Sequence, residues 1–311
     1  MPDYGHDLLF GTFTTPVADP SQHAVDLAIV ADRAGLDLVT FQDHPYQPSY
    51  HDTWTLLSYV ASRTHRVHVA GNVLNLPLRD PAVLARASAS LDRLSGGRFA
   101  LGLGAGAFWD PIAAMGGRRL TPGQAVDALD EALAIIRQIW DTETRGGVRL
   151  EGDYYRVVGA KRGPAPSHDI PIWIGAYKPR MLRLIGRAAN GWLPSLAYLP
   201  GGPSDLAAMN AHIDAGAQAA GRDPATVRRL LNISGQFAST RRGFLTGPPA
   251  QWAEELAELT LEYGISAFIL ATDDAATIEQ FASEVAPATR EIVTAARSER
   301  TPDLSPAAAL L

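Results

Sequence analysis

The chain has 311 residues, 46% of them apolar and 19% charged, which is enough apolar side chain for one large core. A net charge of −6 with scattered basic residues excludes nucleic acid and anionic membrane as main partners. With no cysteine there are no disulfides, thiolate metal sites, cysteine-ligated clusters or cysteine nucleophiles, a composition that suits a reducing cytoplasm. The first ten residues carry charge and no long apolar core, so no signal peptide is expected. No apolar run reaches the roughly 20 residues of a membrane span.

In chain order, strand-like and helix-like stretches alternate, the pattern of parallel βα units. A strand is expected over 8–14, then a helix with Ala24, Leu27, Ala28 and Ala31 at helical spacing and Gly35 as its stop. A second strand (38–42), a helix (53–63) and a third strand (67–74) follow. Pro81 opens a helix that Gly96-Gly97 closes, and 98–103 is the fourth strand. The rhythm then breaks into an irregular loop over 108–119, a helix over 126–140, a hairpin over 149–158 turning at Gly152-Asp153, and a Pro/Gly-rich loop over 161–169. It resumes with a strand (172–175), a helix (179–189), a short strand (192–194) and a helix (205–220). Asp223-Pro224 is read as opening a further helix. The last two strands are expected at 230–237 and 267–271, with helices at 254–261 and 276–298. Eight strands, each followed by a helix, predict an α/β fold, a (β/α)₈ TIM barrel with insertion segments after strand 4. The chain divides into a single barrel over 1–297 and a loose tail over 298–311.

In such barrels chemistry sits at the C-terminal ends of the strands. Asp43 and His44 end the second strand, where His can exchange a proton near neutral pH; the plain alternative is a turn-capping Asp beside a loop His. Asn72 and Val73 follow a glycine in the apolar third strand, which signals either a bulge or a close approach of another group. Gly104, Ala105 and Gly106 extend an alternating glycine run that lets backbone approach a ligand, or simply turns. Gly175, Ala176, Tyr177 and Lys178 lead from a strand into a helix whose first turn holds Pro179, either an anion site or an ordinary βα turn. Phe108 and Trp109 lie in the irregular loop and are read as pocket lining. His65 and His68, at a strand start and three apart, are poor metal ligands, and no metal site is expected.

These stretches together resemble the luciferase-like superfamily of flavin and deazaflavin oxidoreductases. The Asp43-His44 strand end, the run from Arg86 to Arg98 into the glycine-rich strand, and the run from Gly175 to Trp192 carry the resemblance. Asp43-His44 followed by Gln47-Pro48 is similar to members that use coenzyme F-420, a deazaflavin. The resemblance implies that Asp43 and His44 lie beside the cofactor ring and that a non-proline cis peptide at Asn72–Val73 bulges toward its back face. It further implies Gly104, Ala105 and Gly106 near the cofactor tail, and a phosphate on the backbone of Gly175, Ala176 and Tyr177. One departure stands out: where the sugar-phosphate dehydrogenases carry a catalytic glutamate, this chain has Ala107, then Phe108 and Trp109. The expected activity is hydride transfer between coenzyme F-420 and a small, rather apolar organic substrate, with His44 moving the proton. FMN-dependent oxygenation on the same fold and a non-catalytic flavin-binding barrel are the alternatives, and a metal-dependent hydrolase ranks last. A homodimer is the expected assembly.

Overall fold

A computed structural model describes residues 2–300. Eight parallel strands form the barrel: β1 Leu9–Thr14, β2 Leu38–Phe41, β3 His68–Gly71, β4 Phe99–Gly104, β5 Ile172–Ile174, β6 Gly191–Trp192, β7 Arg228–Ile233 and β8 Ile265–Ala271. Each pairs with its sequence neighbours, and β1 pairs with β8 (Leu9 opposite Ala267), which closes the ring. The outer helices are α1 His23–Ala34, α2 Thr53–Arg63, α3 Pro81–Ser95, α4 Pro122–Trp140, α5 Pro179–Ala188, α6 Asp205–Ala219, α7 Pro249–Tyr263 and α8 Ala286–Arg300.

Strands buried on both faces read as continuous apolar runs, which is why the alternation was legible. The main core lies between strands and helices. Inside the barrel, Leu38, Ala70, Ala100, Trp173 and Leu230 form a second cluster, small residues making room for the indole. Gly35 and Gly96 end α1 and α3 in the left-handed conformation, as expected of stop signals.

Several boundaries differ from the sequence reading, each for a local reason. The expected loop over 108–119 contains a short helix, Trp109–Ala114. Helix α4 starts at Pro122 rather than Val126. Thr121 and Gln124 form a capping box, with the Gln124 side chain accepting from the Thr121 N–H at 2.9 Å. The hairpin is real (Val148–Glu151 against Arg156–Ala160), and Glu131 of α4 accepts the N–H groups of Asp153, Tyr154 and Tyr155 at its turn. Asp223-Pro224 opens only a 3₁₀ turn, Pro224–Thr226, because β7 begins two residues later. The seventh strand stops at Ile233, and Gln236–Phe237 pairs instead with Thr246–Gly247. Residues 298–300 continue α8, and the remainder of the expected tail, 301–311, lies outside the described residues. No helix among the described residues is long and apolar enough to cross a membrane.

Candidate active site

The candidate site is a cavity of about 320 Å³ at the C-terminal ends of the strands. It brings together Asp43, His44, Asn72, Val73, Gly104, Ala105, Gly106, Phe108, Gly175 and Tyr177, which lie as far as 134 positions apart in the sequence. A larger groove of about 750 Å³ opens at the opposite end, beside Arg137, Asp141 and His168, and holds none of the candidate residues.

One wall is the end of β2. The Asp43 carboxylate is fully buried and accepts from Arg79 Nε and Nη2, both at 2.8 Å, and from the Asn75 N–H at 2.8 Å. Arg79 also reaches Asp52 at 3.0 Å. Burial alone would lower the Arg79 pKa, but the bonds and charge of Asp43 outweigh it and hold the guanidinium charged. Asp43 thus turns its carboxylate toward Arg79, behind the wall. The imidazole of His44 makes no hydrogen bond to a protein group among the described residues. It stacks on Tyr46 (centroids 5.3 Å, planes 17° apart) and meets Phe108 edge-on at 5.4 Å. Burial lowers the His44 pKa, only partly opposed by the charge of Asp43, so the neutral ring prevails near pH 7. The same burial raises the Tyr46 phenol.

The second wall is the interruption of β3. The Asn72–Val73 peptide is cis, as the resemblance implied, and the strand resumes at Leu74–Asn75 to pair with Leu103 and Gly104. Glycines make the room this bulge needs. A methyl group on Gly104 would stand 2.6 Å from Val73 Cγ2, and one on Gly102 1.9 Å from the Gly71 carbonyl oxygen. The alternating glycines therefore admit the neighbouring strand and the Val73 side chain, not only a ligand. Gly106, at φ +97°, turns the chain so that the Trp109 ring packs against it. Trp109 lies outside the cavity lining, whereas Phe108, 54% exposed, and Tyr198, 69% exposed, both belong to it.

The third side is the start of α5. Tyr177 accepts the Ser195 N–H on its hydroxyl oxygen at 2.8 Å, and burial raises its pKa. Ala176 is buried, and its carbonyl accepts from Trp192 Nε1 at 2.9 Å. Lys178 is exposed outside the cavity, at an N-cap with no side-chain capping bond, so first-turn N–H groups of α5 are available to an anion. Arg79, Tyr46 and Asn232 were missed by sequence reasoning. Arg79 and Asn232 carried no local signal, whereas Tyr46 sits two residues from His44. No group of three potential metal ligands occurs among the described residues.

The description of luciferase-like monooxygenases matches residues 8–242. An F420-dependent glucose-6-phosphate dehydrogenase of Amycolatopsis mediterranei (strain U-32) is 35% identical over 175 residues, 54% of this chain and 52% of that one. The 5,10-methylenetetrahydromethanopterin reductase of Methanolobus tindarius is 33% identical over 222 residues, 71% of this chain and 63% of that one. The chain therefore spans between half and two thirds of the length of these curated relatives. In fold it is similar to an F420-dependent secondary alcohol dehydrogenase solved with an F420–acetone adduct (TM-score 0.79, 20% identity, 91% of this chain and 99% of that one). It is also similar in fold to the monooxygenase RslO1 from Streptomyces bottropensis (TM-score 0.76, 19% identity, 90% and 99%). With the closed barrel and the family match over 8–242, the chain belongs to the luciferase-like monooxygenase family.

Proposed function

We propose that this chain transfers a hydride between a deazaflavin, coenzyme F-420, and a small, neutral, apolar substrate carrying a hydroxyl or carbonyl group. The observation that carries the reading is His44: among the described residues its imidazole makes no hydrogen bond to a protein group, and it faces a cavity in whose lining the one carboxylate, Asp43, is already committed to Arg79. The names of the relatives support the cofactor. The residues fit such a group. Val73 offers an apolar wall seated by Gly104, Asn75 contributes a buried carboxamide oxygen with no hydrogen-bond partner among the described residues, and the start of α5 offers N–H groups for a phosphate.

When bound, the deazaflavin supplies the hydride acceptor or donor. His44 handles the proton. As the neutral ring it accepts the hydroxyl proton of an alcohol while the carbon gives up its hydride, leaving a carbonyl. In the reverse direction the imidazolium returns that proton. Arg79 and the Asn75 N–H hold the Asp43 carboxylate in place behind His44. Among the described residues no Lys or Arg lines the cavity, and Ala107 stands at its rim, which argues against a phosphorylated substrate. Phe13, Leu193 and Phe108 favour an apolar one.

The cytoplasm and a homodimer belong to the same proposal, the latter supported by the exposed apolar side chains Val83 and Leu94 on α3. The deciding experiment titrates the protein with coenzyme F-420 and, separately, FMN, following tryptophan fluorescence. Binding of the deazaflavin, with slow reoxidation of its reduced form in air, is the expected result. Binding of FMN alone overturns the assignment in favour of oxygen chemistry. Deazaflavin binding without turnover on any alcohol, enone or imine favours a cofactor-holding barrel.

A further inference from the structure

Polar side chains from separate strands meet across the top of the barrel. Asn72 Nδ2 donates to Asn232 Oδ1 at 2.7 Å and to Thr40 Oγ1 at 3.1 Å. Asn232 Nδ2 donates back to Asn72 Oδ1 at 3.1 Å and to Ser195 Oγ at 3.0 Å. Each carboxamide thus uses both of its N–H hydrogens. Thr40 donates onward to the Thr12 carbonyl on β1, and the Ser195 N–H donates to the Tyr177 hydroxyl oxygen. The chain of bonds runs from β1 through β2, the bulge after β3 and β7 to the turn before α5.

Two facing carboxamides, 9% and 7% exposed, are an expensive way to fill a barrel layer. The layer below is apolar, and such packing is usually at least as stable as a buried polar network. The belt is better understood by what it holds. Asn72 is the chain neighbour of Val73, whose methyl groups fill the space over Gly104 and beside Gly175. Tyr177, at the far end of the belt, lines the cavity just before the start of α5.

We propose that Asn232 is a positioning residue of the cofactor site. It holds Asn72, and through it Val73, at a fixed depth in the cavity. Through Ser195 it sets that wall relative to Tyr177. The proposal rests on the deazaflavin reading above.

The test uses the full chain, coenzyme F-420 and the variants Asn232→Ala and Asn232→Asp, read by fluorescence titration, the visible absorption of bound deazaflavin and thermal melting. Asn232→Ala is expected to bind the deazaflavin about tenfold more weakly, the equivalent of one net hydrogen bond, with a shifted absorption band and a little-changed melting temperature. Asn232→Asp is expected to be equally weak at neutral pH, where its carboxylate faces the Asn72 carbonyl oxygen. It recovers as pH falls, because a protonated carboxyl regenerates the reciprocal pair with Asn72; Asn232→Ala shows no such recovery. The ionisable groups facing the same cavity (Asp43, His44, Tyr46, Tyr177 and Tyr198) are common to wild type and both variants, so their titration cancels. Wild-type failure to bind the deazaflavin overturns the functional reading and this proposal with it. Wild-type binding with unaltered affinity and spectrum in Asn232→Ala overturns this proposal alone. So does a pH-independent defect shared by both variants and matched by a fall in melting temperature, which marks Asn232 as structural.

Discussion

At the end of the barrel where the strands begin, buried charges are answered by protein groups. Arg229, fully buried, is met by Asp214, by the Asn210 side chain at 3.1 Å and by the carbonyls of Pro224 and Val227, with the Tyr4 ring 4.1 Å from its guanidinium. Asp32 accepts the N–H groups of His65, Arg66 and Val67. Asp92 ties down Ser167 and His168. At the end where the strands finish, among the described residues the His44 imidazole, the Tyr46 hydroxyl and the Asn75 carboxamide oxygen have no hydrogen-bond partner, and Phe108 and Tyr198 are exposed. The charged side chains at the first end are tied into the scaffold, whereas at the second His44, Tyr46 and Asn75 line a cavity with polar atoms open to a ligand.

Mutations should separate the two ends cleanly. The largest effect is expected from His44→Ala, which should lower turnover with a deazaflavin by about 10²–10⁴-fold, the usual worth of a positioned proton-transfer group. The urea midpoint should not move; a shifted midpoint with unchanged turnover would reverse the comparison. Next comes Arg229→Ala, which strips the partner from Asp214 and should cost about 3–5 kcal/mol in urea unfolding. The rate per folded molecule should stay the same. Phe108→Ala, at the cavity mouth, should raise KM for an apolar substrate roughly tenfold and leave that for a small polar one nearly unchanged.

The smallest effect concerns pH, and it too divides the ends. Burial, with the charges of Arg228 and Arg229, lowers His6 from the ordinary 6.5 to about 4. The unfolded chain therefore binds this proton first as pH falls. The stability His6 contributes is complete above pH 6.5 and is lost on the way down to about 4. His6→Gln should flatten that slope in denaturant titrations. Burial lowers His44 in the same direction. Alcohol oxidation should accordingly keep its rate somewhat below pH 6.5 before falling, a limb that His6→Gln should leave in place.

The barrel was legible because each parallel strand is an apolar run and glycines end α1 and α3. The missed start of α4 was also written in the sequence, in the spacing of Thr121 and Gln124. What was not legible is pairing at a distance. Arg79 reads as a surface charge until the fold sets it against Asp43, 36 positions earlier. Asn232 reads as an ordinary strand residue until it meets Asn72, 160 positions away. Asp223-Pro224 misled for the opposite reason: a sound local helix signal was overridden by the strand that follows. Of the candidate site, the motif residues at the strand ends are legible in the sequence, but not the groups that hold them.

The crowding around Val73 has a bearing on how this chain can change. Gly102 and Gly104 look alike in the sequence, yet the obstacles to enlarging them differ in kind. At Gly102 the added atom meets the backbone oxygen of Gly71, so no single change elsewhere clears the way. At Gly104 it meets the side chain of Val73, so Val73→Ala opens a path that is closed while valine stands there. The order of substitutions is thereby fixed: 73 must shrink before 104 can grow. A library that varies either position alone samples mostly dead ends, and one that varies both together can reach reshaped cavities.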